Sequence, residues 1–213
     1  MDRSDLDPAL RQESLDGLAR LRRFFLRPGA LLVAMVRILP PPSDRTLRIV
    51  ELGAGSGELS AWLGRALVRT GRRVEMVATD RVAGPGVRAF DCTGTDGWME
   101  ADLYISNLLL HHLGVDEIRR SLGTQGRHAR YGSVHLDVVR TGLSYYLCRL
   151  FLPLLRYPRI NQSDALLSIQ AAFTIQEMRA LANGIRGTSE VRRVLPFRQI
   201  LTCSPEAAPS PGP

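Results

Sequence analysis

The chain has 213 residues and a formal net charge of +7, and all 28 of its Lys or Arg positions are arginine. Its 45% hydrophobic and 23% charged residues are typical of a globular domain and exclude a disordered or fibrous chain. Without lysine there is no Schiff-base lysine and no phosphate loop of the GxxxxGK[ST] kind.

The positive charge is spread along the chain. No run of five to eight basic residues occurs, although such runs are typical of nucleic-acid-binding patches. This scattered distribution indicates that the arginine content reflects coding bias and solubility and does not indicate a nucleic-acid partner. The charge excess leaves open a small-molecule substrate that is acidic or bound to a carrier.

The three cysteines are far apart, so they form neither a CxxC metal knuckle nor a disulfide framework. The first ten residues are acidic and polar, unlike a signal peptide. The apolar stretch 30–39 contains Arg37 and is too short to span a membrane. These features predict a reduced, cytoplasmic protein with no membrane span.

The first 42 residues are predicted to form an N-terminal helical cap. Residues 5–27 place Leu15, Leu18, Leu21 and Phe25 three or four apart, which predicts an amphipathic helix. Pro28-Gly29 ends that helix. A second helix follows over 30–39 and ends at the three prolines 40–42.

From residue 43 onward short apolar runs alternate with helical segments. This alternation predicts an α/β domain with a Rossmann-like, mostly parallel sheet and helices on both faces. The loops that follow the strands then lie along one edge of the sheet, where ligands bind. The predicted strands are 47–52, 74–79, 87–90, 102–106 and 133–139, and the predicted helices are 58–70 and 115–122.

The later part of the domain (43–203) departs from the alternation. Residues 142–172 are rich in leucine and aromatic residues, and they predict a lid-like helical insertion interrupted by Pro153. Thr174 and Glu177 form a capping box that begins another helix. Residues 190–194 and 199–202 are expected to form an antiparallel pair, and 204–213 a disordered tail.

The strongest motif is a glycine-rich loop between the first strand and the following helix. It reads Glu51-Leu-Gly53-Ala-Gly55-Ser-Gly57, and these glycines let the backbone turn tightly and approach a ligand closely. The spacing differs from the dinucleotide fingerprint, because Glu58 stands where that fingerprint has its third glycine. A carboxylate at the helix start also disfavours a pyrophosphate.

With Asp80 at the end of the second strand, this loop resembles the first motifs of the class I S-adenosylmethionine (SAM)-dependent methyltransferases. The resemblance covers roughly residues 45–140. It implies SAM as cofactor, bound through the glycine loop, with Asp80 accepting hydrogen bonds from the ribose hydroxyls. It also implies that Asp91 and Cys92 lie near the adenine and that Asn107 and Leu108 lie near the methionine moiety. The implied cofactor-binding residues are Glu51, Gly53, Gly55, Gly57, Asp80, Asp91, Cys92, Asn107 and Leu108.

The segment Ser106-Asn-Leu-Leu-Leu-His111-His112-Leu113 is similar to the corresponding segment of small-molecule methyltransferases of the ubiquinone/menaquinone and natural-product types. That similarity implies methylation of a small, mostly apolar metabolite in secondary metabolism, with oxygen as the first expectation for the accepting atom. Carbon and nitrogen stay open. The N/D-P-P-Y motif of enzymes that methylate exocyclic amines of bases is absent.

Three histidines are candidate catalytic bases, because deprotonating a phenol or carboxylic acid acceptor needs a base that titrates near neutral pH. His111 and His112 follow the fourth strand. The alternative to a catalytic role is that they pack against or cap the segment that follows. His135 lies inside the fifth strand with Asp137 on the same face. Near the ligand edge of the sheet this pair would orient a base, whereas burial within the strand favours a structural role. We predict no metal, since adjacent histidines rarely bind one ion together.

The insertion supplies candidate substrate residues. Tyr145 and Tyr146, with Phe151 and Tyr157, suit a flat apolar acceptor, although ordinary helix packing explains them as well. Arg140 is a candidate for binding an acidic group of the substrate.

One connection departs from the resembled family. Only residues 81–86 separate Asp80 from the third strand, which is too short for the usual helix. This motivates an alternative: a protein of methyltransferase fold that catalyses a cyclisation or rearrangement instead, or that has lost cofactor binding.

Overall fold

A computed structural model of the chain describes residues 28–154, 159–185 and 187–205. The amphipathic helix predicted at 5–27, Tyr157 and nearly all of the predicted tail lie outside these described residues.

Within the described residues the strands form one seven-stranded sheet in the order β3-β2-β1-β4-β5-β7-β6. Neighbouring strands are parallel, except that β7 runs antiparallel to both β5 and β6. The carboxyl ends of β1, β2, β4 and β5 therefore lie together, and we call this side the carboxyl edge. The strands are β1 (Thr46–Leu52), β2 (Arg73–Asp80), β3 (Val87–Ala89), β4 (Leu103–Asn107), β5 (Ser133–Val138), β6 (Thr188–Val194) and β7 (Arg198–Ser204).

Helices cover both faces of the sheet, which confirms the predicted Rossmann-like α/β fold. A short 3₁₀ helix, Leu110–His112, follows β4. The α-helices among the described residues are α1 (Pro28–Ile38), α2 (Glu58–Val68), α3 (Val115–His128), α4 (Gly142–Leu154), α5 (Arg159–Ala171) and α6 (Ile175–Ala182).

The first face is covered by α1 and α2. Leu31 and Met35 of α1 and Leu63 of α2 are fully buried against strand residues such as Ile49 and Leu136. The spacing of Leu31 and Met35 places them on one apolar stripe of α1.

The second face is covered by α3 and α6. Ile118 and Leu122 of α3 pack with Met178 of α6. The predicted capping box starts α6: the hydroxyl oxygen of Thr174 accepts from the backbone N–H of Glu177, whose carboxylate accepts from the backbone N–H of Thr174.

A third cluster fills the second face between β3 and β4, where residues 90–102 contain no helix. The ring of Trp98 packs edge-on against Phe90 at 5.1 Å and against Tyr104 at 5.4 Å between centroids. The Tyr104 hydroxyl donates to the carbonyl of Met99. An aromatic loop thus covers β1 and β4 in place of a helix.

Two boundaries are defined more closely by the structure. Pro153 lies inside α4, which is described to Leu154, one residue later, and α5 begins at Arg159. Ser204 is the last residue of β7 and does not begin the tail, because it pairs with Thr188 of β6.

Gly132, just before β5, is expected to tolerate no side chain. Its φ is +105°, and a Cβ there would lie 1.9 Å from the backbone oxygen of Cys203. We expect Gly132→Ala to lower the free energy of unfolding by about 3 kcal/mol or more, measured by urea denaturation. The matched control is Gly123→Ala in α3, where a Cβ meets nothing within 4 Å and helix propensity improves. Equal stabilities of the two variants would contradict the packing described here.

Candidate active site

The glycine loop joins β1 to α2 at the carboxyl edge. Gly53, Gly55 and Gly57 have φ values of 68°, 57° and 75°, a left-handed conformation that favours glycine. The backbone N–H of Gly55 donates to Oδ2 of Asp80 at 2.8 Å. The two features singled out in the sequence therefore touch each other.

The acidic residues around this loop differ in exposure. Asp80 is partly exposed, and its Oδ1 also accepts from the backbone N–H of Val82 at 3.3 Å. Glu51 is only 2% exposed and accepts a hydrogen bond from the hydroxyl of Ser60 on α2. Glu51 thus stabilises the glycine loop from the buried side by bonding to α2, whereas Asp80 lies at the carboxyl edge.

The connection between β2 and β3 has no helix, as its length predicts. Gly84 and Val87 exchange two backbone hydrogen bonds of 3.1 and 2.9 Å, which closes a tight turn. β3 is an edge strand of only three residues. The carboxyl edge next to β2 is therefore formed by this short strand and the tight turn before it.

Asp91 and Cys92 follow β3 and lie in different environments. Asp91 is exposed, and hydrogen bonds from the hydroxyl and backbone N–H of Thr93 lower the pKa of its carboxyl group. Cys92 is buried, and burial raises the pKa of its thiol to about 11, so the thiol stays protonated.

Residues after β4 reach back over the glycine loop. Leu108 has a φ of 60°, an uncommon value for a leucine, while its N–H donates to the carbonyl of Leu136 at 2.9 Å. The next residue, Leu109, lies so close to Gly53 that a Cβ on that glycine would come within 2.8 Å of it. The turn after β4 and the glycine loop are thus packed together.

His111 is held by a buried carboxylate. Its Nδ1 lies 2.6 Å from Oδ1 of Asp137, and its backbone N–H donates to Oδ2 of the same residue at 3.0 Å. The two side chains are 3% and 2% exposed. The carboxylate orients the ring and fixes the proton on Nδ1, so Nε2 is the nitrogen able to accept a proton.

The other two candidate histidines are placed differently. His112 is exposed, and its ring lies 4.1 Å from that of His111 between centroids. His135 is 1% exposed, and its ring nitrogens lie 2.8 Å and 3.0 Å from the hydroxyls of Ser106 and Ser133. Those bonds engage both nitrogens of His135 inside the core, which favours a structural role.

The burial of His135 predicts a pH dependence of stability. Burial lowers the pKa of His135 from 6.5 to about 4, so between these pH values the unfolded chain binds a proton that the folded chain does not. Stability contributed by this residue is therefore full above pH 6.5 and falls as the pH drops. At pH 5 we expect a loss on the order of 2 kcal/mol in urea denaturation. His135→Gln should remove that part of the slope, and an unchanged slope would contradict the assignment.

The three candidate substrate residues do not share one environment. Tyr145 is half-buried and packs edge-on against Tyr146 at 5.7 Å, but Tyr146 is 69% exposed. Arg140 pairs with the carboxylate of Glu177 on α6. That ion pair balances the charge of Arg140 and connects the loop between β5 and α4 to α6. A role for Arg140 in binding an acidic substrate group is therefore less favoured.

Two further properties concern the whole described part of the chain. Among its residues no group of three or more His, Cys, Asp and Glu is arranged to hold a metal ion. None of its helices is both long and apolar enough to cross a membrane.

Sequence reasoning missed the partner of His111. It placed Asp137 beside His135, since residues two apart in a strand share a face, but such residues are nearly 7 Å apart. The loop after β4 instead brings His111 to Asp137. It also missed Leu109, Phe90 and Trp98, for which the only signal was apolar side chains in loops.

The strand order, the antiparallel β7 and the helices on both faces define the fold of the class I SAM-dependent methyltransferases. Comparison with protein-family profiles and with curated proteins finds no match.

Solved structures of this class are similar at low sequence identity. Human N-acetylserotonin methyltransferase in complex with SAM aligns with a TM-score of 0.61 at 14% identity, over 92% of this chain and 56% of that one. An O-methyltransferase family 2 protein from Planctomyces limnophilus in complex with apigenin aligns with a TM-score of 0.55 at 13% identity, over 94% of this chain and 63% of that one. The CMeT domain of the citrinin polyketide synthase aligns with a TM-score of 0.55 at 15% identity, over 81% of this chain and 50% of that one. The chain thus spans about half to two thirds of these structures.

Proposed function

We propose that the protein is a SAM-dependent methyltransferase that acts on a small, mostly apolar metabolite, with oxygen as the accepting atom. One observation carries the proposal: the carboxyl edge holds both the glycine loop with Asp80 and the His111–Asp137 pair. The first is a place for the cofactor, and the second is an oriented base.

The polar groups at this edge fit SAM. Oδ1 of Asn107 is buried and finds no hydrogen-bond partner among the described residues, so the α-ammonium group of a bound amino acid moiety would satisfy it. Asp80 accepts one backbone hydrogen bond on each oxygen and keeps further lone pairs for the ribose hydroxyls. Gly55, beside Asp80, leaves the approach free of a Cβ.

When bound, SAM supplies a methyl group already activated by the sulfonium. The protein must align the acceptor and remove its proton. Nε2 of His111 takes the hydroxyl proton as the acceptor oxygen becomes nucleophilic, and Asp137 stabilises the resulting imidazolium through Nδ1. His112 lies beside this ring and is the other candidate base.

The surroundings of this base support an apolar acceptor. Leu109 and Leu113, both half-buried, lie on either side of the 3₁₀ helix that carries His111. Similarity to structures described as O-methyltransferases, and to one complex with apigenin, supports oxygen and a natural product as substrate. Carbon is the second choice, because carbon methyltransferase domains share the fold.

Incubation with methyl-labelled SAM and a panel of small phenols and polyketides tests this proposal. We expect label in an extractable small product. Label that appears only on added RNA would contradict it. Binding of SAM without transfer to any acceptor would favour the alternative of a non-methylating reaction, which the helix-free β2–β3 turn first suggests.

A further inference from the structure

β6 lies at one edge of the sheet, and among the described residues only β7 pairs with it. Apart from the buried Val191 and the half-buried Val194, the residues of β6 are exposed. The strand at the other edge, β3, has only three residues, whereas β6 has seven. β6 therefore presents the longer row of backbone groups to which another strand could bond.

The hydrogen bonds around β7 show which groups of β6 point outward. The N–H of Val139, directly after β5, donates to the carbonyl of Phe197, directly before β7. Successive residues of an antiparallel strand bond alternately to its two sides, so the odd-numbered residues of β7 bond to β5 and the even-numbered ones to β6. In β6 the odd-numbered residues Ser189, Val191 and Arg193 therefore direct their N–H and C=O groups toward the free edge.

The charges of β6 make the strand complementary to itself. Glu190 and Arg192 flank Val191 on one face of the sheet and form an ion pair whose side chains are 55% and 56% exposed. A second copy of β6, paired antiparallel about a two-fold axis at Val191, would place Glu190 of each copy opposite Arg192 of the other. The ion pair within each chain would persist, so four charges of alternating sign would lie together.

The neighbouring registers lack this complementarity. A shift of two residues places Glu190 opposite Glu190 or Arg192 opposite Arg192, and like charges directly opposite each other are destabilising. A shift of one residue opposes outward groups to inward ones and breaks the hydrogen bonds. The register centred on Val191 pairs it with itself and pairs Ser189 with Arg193, all of which point outward. Backbone hydrogen bonding and charge therefore favour the same register.

We propose that β6 pairs with β6 of a second copy about an axis at Val191, which joins the two sheets into one. The carbonyl of Val191 now accepts a long hydrogen bond of 3.5 Å from the exposed Arg179, and a backbone N–H of the other copy would replace it. One strand pair buries less than the roughly 800 Å² per partner of a standard interface, so we expect a dissociation constant on the order of 10 μM. Pairing needs neither SAM nor methyl transfer, so it stands or falls separately from the proposed function.

Sedimentation velocity of the full chain between about 1 and 100 μM tests the proposal. We expect the wild type to change from monomer to dimer over this range. Glu190→Arg and Arg192→Glu each oppose like charges and should weaken the dimer about tenfold or more. An equimolar mixture of these two variants should form a heterodimer, because every arginine at the two positions then lies opposite a glutamate.

Two further variants distinguish the edge from general effects of surface charge. Glu75→Arg disrupts the ion pair of Arg48 and Glu75, which is 50% and 51% exposed and lies away from β6, and it should dimerise as the wild type does. Ser189→Pro removes an outward N–H that β7 does not use, so it should weaken the dimer while the monomer still unfolds cooperatively.

Each other result overturns the proposal. A wild type that stays monomeric at about 100 μM excludes the pairing. Dimers that persist unchanged in Glu190→Arg or in Ser189→Pro would place the interface elsewhere on the molecule. A mixture of Glu190→Arg and Arg192→Glu that does not associate would contradict the register. An equal loss in Glu75→Arg would show that the net charge, and not the edge, controls association.

Discussion

Replacing Asp80 by alanine is expected to abolish SAM binding, with the dissociation constant rising by about 100-fold or more. The carboxylate accepts hydrogen bonds from Gly55 and Val82 and would also accept from the ribose hydroxyls. Each hydrogen bond to a charged group contributes about 1.5–3 kcal/mol, and two of them to the ribose would account for the loss. Isothermal titration calorimetry with SAM measures the change.

Two further variants separate binding from folding. Asp80→Asn keeps one acceptor oxygen and should retain part of the affinity. Asp116→Ala removes a carboxylate at the start of α3 that is 88% exposed, and it should bind SAM as the wild type does. If Asp80→Ala unfolds cooperatively at the wild-type temperature yet binds SAM normally, the assigned role of Asp80 is wrong.

Replacing His111 by glutamine is expected to lower the rate of methyl transfer by about 100- to 10,000-fold while SAM affinity stays unchanged. The ring of His111 is the proposed base, and glutamine preserves much of its bulk and polarity without its basicity. Asp137→Asn should cause a similar loss, since an amide can donate to Nδ1 and leave the ring in the wrong tautomer. The labelled-methyl assay measures both variants.

The double variant His111→Gln/Asp137→Asn provides the internal control. Because the two residues act as one unit, its rate should be close to that of the slower single variant and not the product of both losses. His112→Gln should retain most of the activity. A full loss in His112→Gln, with His111→Gln near the wild-type rate, would move the base to His112.

The sequence was enough to predict the sheet and the glycine loop. Apolar runs such as 47–52 and 133–139 became β1 and β5 within one residue, since a fully buried parallel strand is apolar on both faces. The six-residue connection after Asp80 also excluded a helix between β2 and β3, and the structure contains a tight turn there. These features are local, so spacing and residue type determine them.

The pairings within the site could not be predicted, because they join residues far apart in the chain. Asp137 meets His111 across 26 positions, and Glu177 meets Arg140 across 37. Each pair depends on how a loop packs over the sheet, which no local pattern specifies. Periodicity likewise predicts that the segment of α4 has apolar positions but not what covers them, and several of those positions are exposed in the structure.

Titration of the wild-type protein with SAM and with S-adenosylhomocysteine tests the central claim most directly. We expect saturable binding of both ligands at one site, and a rise in the unfolding temperature with each, because ligands that bind only the folded state stabilise it. The absence of heat and of any thermal shift at millimolar SAM would contradict the account. It would show that the glycine loop and Asp80 have only a structural role and do not bind SAM.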